Sequence, residues 1–168
     1  MSARTLGQDL RAAAAECPTR QAVVAPDRTL SYAELDAAAD RVAGVLAELG
    51  VQRGDRVALV LPNSADMAQA IYGVTRAGAA FTPLNATIKE AKLARVLEHA
   101  GVTAVVCDGE RQPTVQAAVE RIGEVAVIAD VSSLEPVGVP PFTADPHGAA
   151  PNGTVPRTHH TLDRHEPL

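Results

Sequence analysis

Side chains able to hold or activate a ligand are sparse in this 168-residue chain, and their placement narrows the chemistry. Only two lysines occur, Lys89 and Lys92, in the run Thr-Ile-Lys-Glu-Ala-Lys-Leu. Three residues apart, they share one face of a helix. Lys89 is the phosphate candidate; the plainer reading is a solvated face with Glu90 close by. The turn Pro62-Asn63-Ser64 follows an apolar run and opens a helical pattern, so its backbone amides could meet an anion. Ser64 in that place is also an ordinary helix cap, and capping is the stronger expectation.

The remaining reactive residue types assemble nothing. His147, His159, His160 and His165 cluster near the C-terminus without the cysteines or ordered frame that a metal site requires, so no metal ligands are assigned. His99, just before Gly101, fits the end of a helix, where the dipole favours a cation. Cys17 and Cys107 are the only cysteines. Cys107 closes the apolar run Thr-Ala-Val-Val-Cys and reads as a small buried residue in a reducing compartment. No G-x-G-x-x-G, P-loop, G-x-S-x-G elbow or C-x-x-C is present. With no nucleophile, base and oxyanion donor brought together, no catalytic residue is assigned.

Composition bounds the scaffold. Hydrophobic residues make up 46% and aromatics 2%, with no Trp, so the core must be aliphatic. A net charge of −5 and no long basic run argue against nucleic acid as a partner. The N-terminal Met-Ser-Ala-Arg-Thr-Leu-Gly-Gln lacks the apolar stretch of a secretory signal, and no window reaches the roughly 18 apolar residues of a spanning helix. Cytoplasm is the expected compartment, and the Asn-x-Thr triplets at Asn85 and Asn152 are expected to carry no glycan.

The elements follow from periodicity. Leu6, Leu10 and Ala13 predict a short helix ending at Cys17-Pro18. Residues 22–25 and 29–32 flank Pro26-Asp27-Arg28 as a hairpin with a turn-forming tip. Ser31 with Glu34 forms a capping box, and Leu35, Ala39, Val42, Leu46 and Leu49 then recur at helical spacing before Gly50. Apolar runs at 56–61, 79–84, 103–107 and 125–129 predict strands. Helical patterns lie between them, on Met67, Ile71 and Val74 and on Leu93, Val96, Leu97 and Ala100. Strands alternating with helices predict an α/β fold, with a Rossmann-like parallel sheet and flanking helices. The lack of polar alternation predicts strands covered on both faces. From Pro136 the chain becomes rich in proline and histidine and poor in Leu, Ile, Val and Phe. A globular unit over 1–135 and a disordered tail over 136–168 are expected.

Several segments carry a resemblance to a known family. Leu30-Ser31-Tyr32-Ala33-Glu34-Leu35 resembles its helix start, Gly54-Asp55-Arg56-Val57-Ala58 its G-D-R-V-A strand entry, and Pro62-Asn63-Ser64 its P-N-S turn. Arg76-Ala77-Gly78-Ala79 and Pro83-Leu84-Asn85 resemble its R-A-G-A and P-L-N elements. In order and at family spacing along residues 30–108, these resemble the N-terminal part of the AMP-forming adenylating enzymes: acyl-CoA synthetases, luciferases and peptide-synthetase adenylation domains. The P-L-N form is more similar to acyl-CoA synthetases.

The resemblance implies the N-terminal subdomain of an enzyme that activates a carboxylate with ATP and magnesium, then passes the acyl group to CoA. That chemistry needs a cradle of donors and cations around a polyanion. In the family this cradle comprises a glycine-rich loop ending in P-K-G, a Thr-Glu pair, a ribose-binding aspartate and a distant lysine. Neither Lys89 nor Lys92 stands in a P-K-G context, and Thr87 occupies the place where some members carry a CoA-contacting arginine. The resulting expectation is a truncated acyl-CoA synthetase, inactive alone and holding no cofactor of its own. The alternatives are one piece of a split enzyme, whose partner is the remainder of the synthetase, or an interaction module docking on a full-length paralogue. Which carboxylic acid the parent enzyme takes is not encoded in these segments.

Overall fold

The computed structural model describes residues 5–123, 125–131 and 134. The expected tail over 136–168, with its four histidines and Asn152, lies outside them.

Helix α1 (Leu6–Glu16) opens on a capping box in which the Thr5 hydroxyl accepts from the Gln8 amide while the Gln8 side chain accepts from the Thr5 amide. Strands β1 (Gln21–Val24) and β2 (Thr29–Ser31) form the antiparallel hairpin around the Pro-Asp-Arg tip. The chain passes straight from β2 into α2 (Tyr32–Glu48). At that junction the Glu34 amide donates to Ser31 Oγ at 3.3 Å and the Ser31 amide donates to Glu34 Oε2 at 2.7 Å, the reciprocal cap the sequence predicts. The Ser31 backbone amide, aided by its hydroxyl, holds the Glu34 carboxyl below its usual titration range. Gly50, at φ 81°, takes the left-handed turn that ends α2.

Four parallel strands follow: β3 (Arg56–Val60), β4 (Ala80–Pro83), β5 (Ala104–Cys107) and β6 (Ala126–Ala129), in the order β4-β3-β5-β6. Between them run α3 (Ala65–Arg76), α4 (Glu90–Ala100) and α5 (Gln112–Glu120). The two-residue alternation of the strands sorts the core into two layers. Val57, Leu59, Val106 and Ile128 pack with Val42, Leu46, Ala70 and Val74 of α2 and α3. Ala58, Val60, Val105 and Cys107 pack with Leu93 and Leu97 of α4 and Val115 and Ala118 of α5. Both central strands are therefore apolar at almost every position, as sheets sandwiched by helices require. A third cluster, Leu10, Leu30, Leu35, Ala39 and Ala65, seats the hairpin and α1 on α2 and α3.

Two details differ from the sequence reading. The run 79–84 is as apolar as its neighbours, yet β4 is an edge strand, with Ala80, Phe81 and Pro83 exposed. A proline is tolerated there because its missing amide falls where no ladder bond is needed. Helix α5 carries no extended apolar periodicity; it is short, starts with a proline in its first turn and buries only Val115, Ala118 and Val119. Among the described residues no helix is long and apolar enough to cross a membrane.

Candidate functional site at the carboxyl edge of the sheet

In open parallel sheets ligands enter outside the carboxyl ends of the strands, where neighbouring strands send their connections in opposite directions. Here that place lies between β3, whose chain leads to β4 on one side, and β5, whose chain leads to β6 on the other. Register pairs Leu59 with Pro83, Val60 with Cys107 and Cys107 with Ala129, so the segments 61–64, 84–89 and 108–111 leave the sheet at one edge. These segments contain the Pro-Asn-Ser turn and Lys89.

Each segment is closed by its own hydrogen bonds. Ser64 caps α3, its hydroxyl accepting from the Met67 amide at 3.3 Å and donating to the Pro62 carbonyl at 3.2 Å. The Ala65 amide, the first in the helix, donates to Asp27 Oδ1 at 3.1 Å. Arg28 pairs with Asp66 in the same turn. The anion that the sequence allowed at this helix start is thus a carboxylate of the chain itself, delivered by the hairpin tip. No local pattern announces that contact, since Asp27 and Ala65 are 38 residues apart. It could have been sought only by asking which acid the turn-forming tip presents.

After β4, Asn85 Oδ1 accepts from both the amide and the hydroxyl of Thr87 at 2.8 Å, a side-chain-closed turn. After β5, Asp108 Oδ1 accepts from the Arg111 amide at 2.7 Å, and its carbonyl takes the Gln112 amide at 3.0 Å. Cys107 is fully buried beside this loop. Burial, reinforced by the Asp108 charge, pushes its thiol up to about 11, so it is no thiolate nucleophile at neutral pH.

Lys89 stands at the N-cap of α4, exposed, with its side chain making no cap bond and its carbonyl accepting from the Leu93 amide at 2.9 Å. Lys92 is exposed one turn further on. Glu90, expected beside them, instead meets Arg121 at 2.7 Å. His99 sits in the last turn of α4, ahead of Gly101 in a left-handed cap. Among the described residues no group of three His, Cys, Asp or Glu side chains could hold a metal ion. Among the described residues the edge presents side-chain-closed turns and the exposed Lys89, not a constellation of reacting groups.

The polar cluster with the most contacts lies elsewhere. Arg76, its side chain only 6% exposed, pairs with Asp36, donates to Asp40 at 2.9 Å and to the Asp36 carbonyl at 2.8 Å, and reaches the Gly7 carbonyl at 3.3 Å. Arg11 joins Asp40 at 2.6 Å. This ties α1, α2 and α3 together, and its role is architectural.

Comparison with known proteins gives this architecture its lineage. The chain is 34% identical over 116 residues to the long-chain-fatty-acid–CoA ligase FadD13 of Mycobacterium tuberculosis, covering 68% of this chain and 23% of that enzyme. It is 40% identical over 100 residues to the phosphinothricin tripeptide synthetase PhsC of Streptomyces viridochromogenes, covering 60% of this chain and 9% of that protein. The crystal structure of the N-terminal domain of FACL13 from Mycobacterium tuberculosis superposes with a TM-score of 0.69 at 30% identity, covering 82% of this chain and 38% of that one. The chain thus spans less than a quarter of the length of these curated relatives. The profile of the AMP-binding enzymes matches residues 10–167, and the chain belongs to that family.

Proposed function

We propose that these residues are the structural scaffold of an acyl-CoA-synthetase-type enzyme and contribute no reacting group to carboxylate activation. The observation that carries this reading is the state of the sheet's carboxyl edge. At the start of α3 and in the turns after β4 and β5, amide donors are taken up by Ser64, Asp27, Asn85 and Asp108 in contacts within the chain. A nucleotide cradle needs the opposite, with donors left open toward the phosphates. Neither lysine lies in a P-K-G loop. The relatives include a CoA ligase and a peptide synthetase, both far longer than this chain, which supports a part whose chemistry is supplied by other residues.

In this reading the 168-residue chain is a cytoplasmic polypeptide that retains no ATP, magnesium or CoA of its own. Its partner is the remaining portion of a synthetase or a full-length paralogue. The exposed edge strand β4, with Phe81 uncovered, supports such a partner. Fatty acids are the favoured substrate class of the whole enzyme, on the similarity to FadD13.

The test is acid-dependent pyrophosphate release by the purified chain, with ATP, magnesium and a panel of fatty and aromatic acids. No release above the acid-free rate is expected. Formation of an acyl adenylate by the chain alone would overturn the scaffold reading.

A further inference from the structure

The outward face of α4 is opposite in charge to the chain as a whole, whose net charge is −5. Lys92, Arg95, Val96, His99 and Ala100 line an open depression of about 480 Å³, with no carboxylate among them. Spacings of three and four residues set Lys92, Arg95 and His99 along one side of the helix, away from the buried Leu93, Ala94 and Leu97. Among the described residues, neither these three nor Lys89 at the N-cap takes part in an ion pair. The acids of the same helix do not cancel the row. Glu90 is held by Arg121 at 2.7 Å, and Glu98 projects about 100° around the helix from His99. Arg56 of β3 adds a guanidinium at the far end, donating to the Ala100 carbonyl at 3.0 Å.

The position of these cations along the helix gives an acidic partner something to relieve. Lys89 at the N-cap and Lys92 in the first turn stand where the helix dipole disfavours positive charge. A carboxylate brought against them offsets that cost. Shape then selects among acidic partners. The depression is open and built from one helix whose amides are bonded within it, so it cannot enclose a phosphate as a loop does. Val96 and Ala100 are small and carry none of the Trp, Phe or Leu that seats a helix in a bilayer interface. From Lys92 to His99 the row is about 10 Å long, which matches carboxylates one turn apart on a second helix lying along α4. Val96 and Ala100 between the cations let such a helix approach closely and bury apolar surface.

We infer that this face docks an acidic helix of a partner protein, with carboxylates one turn apart meeting Lys92, Arg95 and His99, and small apolar side chains against Val96 and Ala100. The test titrates a staple-locked alanine-rich helix of about 16 residues, with glutamates along one side, into the isotope-labelled 168-residue chain. The α4 amides are followed by NMR. Parallel titrations use a stapled peptide of the same composition with its glutamates spread around the helix, inorganic polyphosphate, and phosphatidylglycerol vesicles. Saturable shifts confined to α4 and its neighbours are expected with the one-sided peptide. The spread peptide, polyphosphate and vesicles should each bind at least about tenfold more weakly. The double variant Lys92→Gln, Arg95→Gln should weaken the one-sided peptide by at least about tenfold. Absence of saturable shifts on α4, equal binding by the spread peptide, equal or tighter binding by polyphosphate or vesicles, or an unchanged response in the double variant would each overturn the inference. The two-peptide comparison uses the unaltered chain, so it decides even where the variant fails to fold.

Discussion

A side chain added at Gly73 would place its first carbon closer than 3.0 Å to Val42, against both Cβ and Cγ1. This is where α3 lies against α2, and the absence of a side chain sets how closely the two helices approach. Gly73→Ala gains about 1 kcal/mol of helix propensity but over-packs the interface by about 1–3 kcal/mol. A net loss of up to about 2 kcal/mol is expected in urea unfolding. The same substitution in a Val42→Ala background should cost less, because Cγ1 is gone, but not nothing, because the Cβ contact stays.

Removing the charge at Arg76 should be more damaging. Arg76→Met preserves much of the stem but leaves Asp36 and Asp40 to the more exposed Arg11 alone, and takes a side-chain donor from the Gly7 and Asp36 carbonyls. Because Asp40 is 36% exposed and partly solvated, the loss should fall below that of a fully buried pair, at about 2–3 kcal/mol. Arg11→Ala, at a 43% exposed site in the same cluster, should cost no more than about 1 kcal/mol. Equal losses for the two arginines would contradict the burial difference between them.

These two sites also mark where sequence reading succeeds and stops. The capping box at Ser31 and Glu34, the helical stripe from Leu35 to Leu46 and the apolar runs of β3 and β5 are local, so their signals lie within a few neighbouring residues. The parallel arrangement follows from alternating strands and helices. The edge position of β4 was hidden, because Ala80–Pro83 has the composition of a covered strand and only strand order decides its exposure. Arg76 with Asp36, and Asp27 with Ala65, join residues 40 and 38 apart. Nothing local to either partner marks such a pairing. Lys89 was visible as a rare residue type, but its place at a helix cap came only from the fold.

The hairpin clasp on α3 yields a third prediction. Asp27→Ala removes the acceptor from the Ala65 amide and the charge near the helix start, while Ser64 continues to serve Met67. A loss of about 1 kcal/mol is expected, the scale of one lost N-terminal capping contact. Amide exchange should quicken at Ala65 and across the hairpin before it quickens in β3 or β5. Uniform exchange throughout would argue that the tip does not hold this helix start.

Cys107 links the core to alkaline pH. Its thiol is raised from an ordinary 9.0 to about 11 by burial and by the neighbouring Asp108. The unfolded chain therefore releases this proton first, and between about pH 9 and 11 the folded state holds more protons than the unfolded one. Stability from this group is fully present below about pH 9 and is lost as pH rises toward about 11. The diagnostic quantity is a difference between two chains, in which contributions common to both cancel. Melting temperature should fall more steeply with alkaline pH in the unaltered protein than in Cys107→Ala, whose curve lacks this proton. In the folded protein the half-buried Cys17 should react with a thiol reagent at neutral pH, and Cys107 only after denaturant is added. Parallel alkaline curves for the two chains, or prompt labelling of Cys107 in the native state, would mean that the end of β5 is open to water rather than sealed beneath α5.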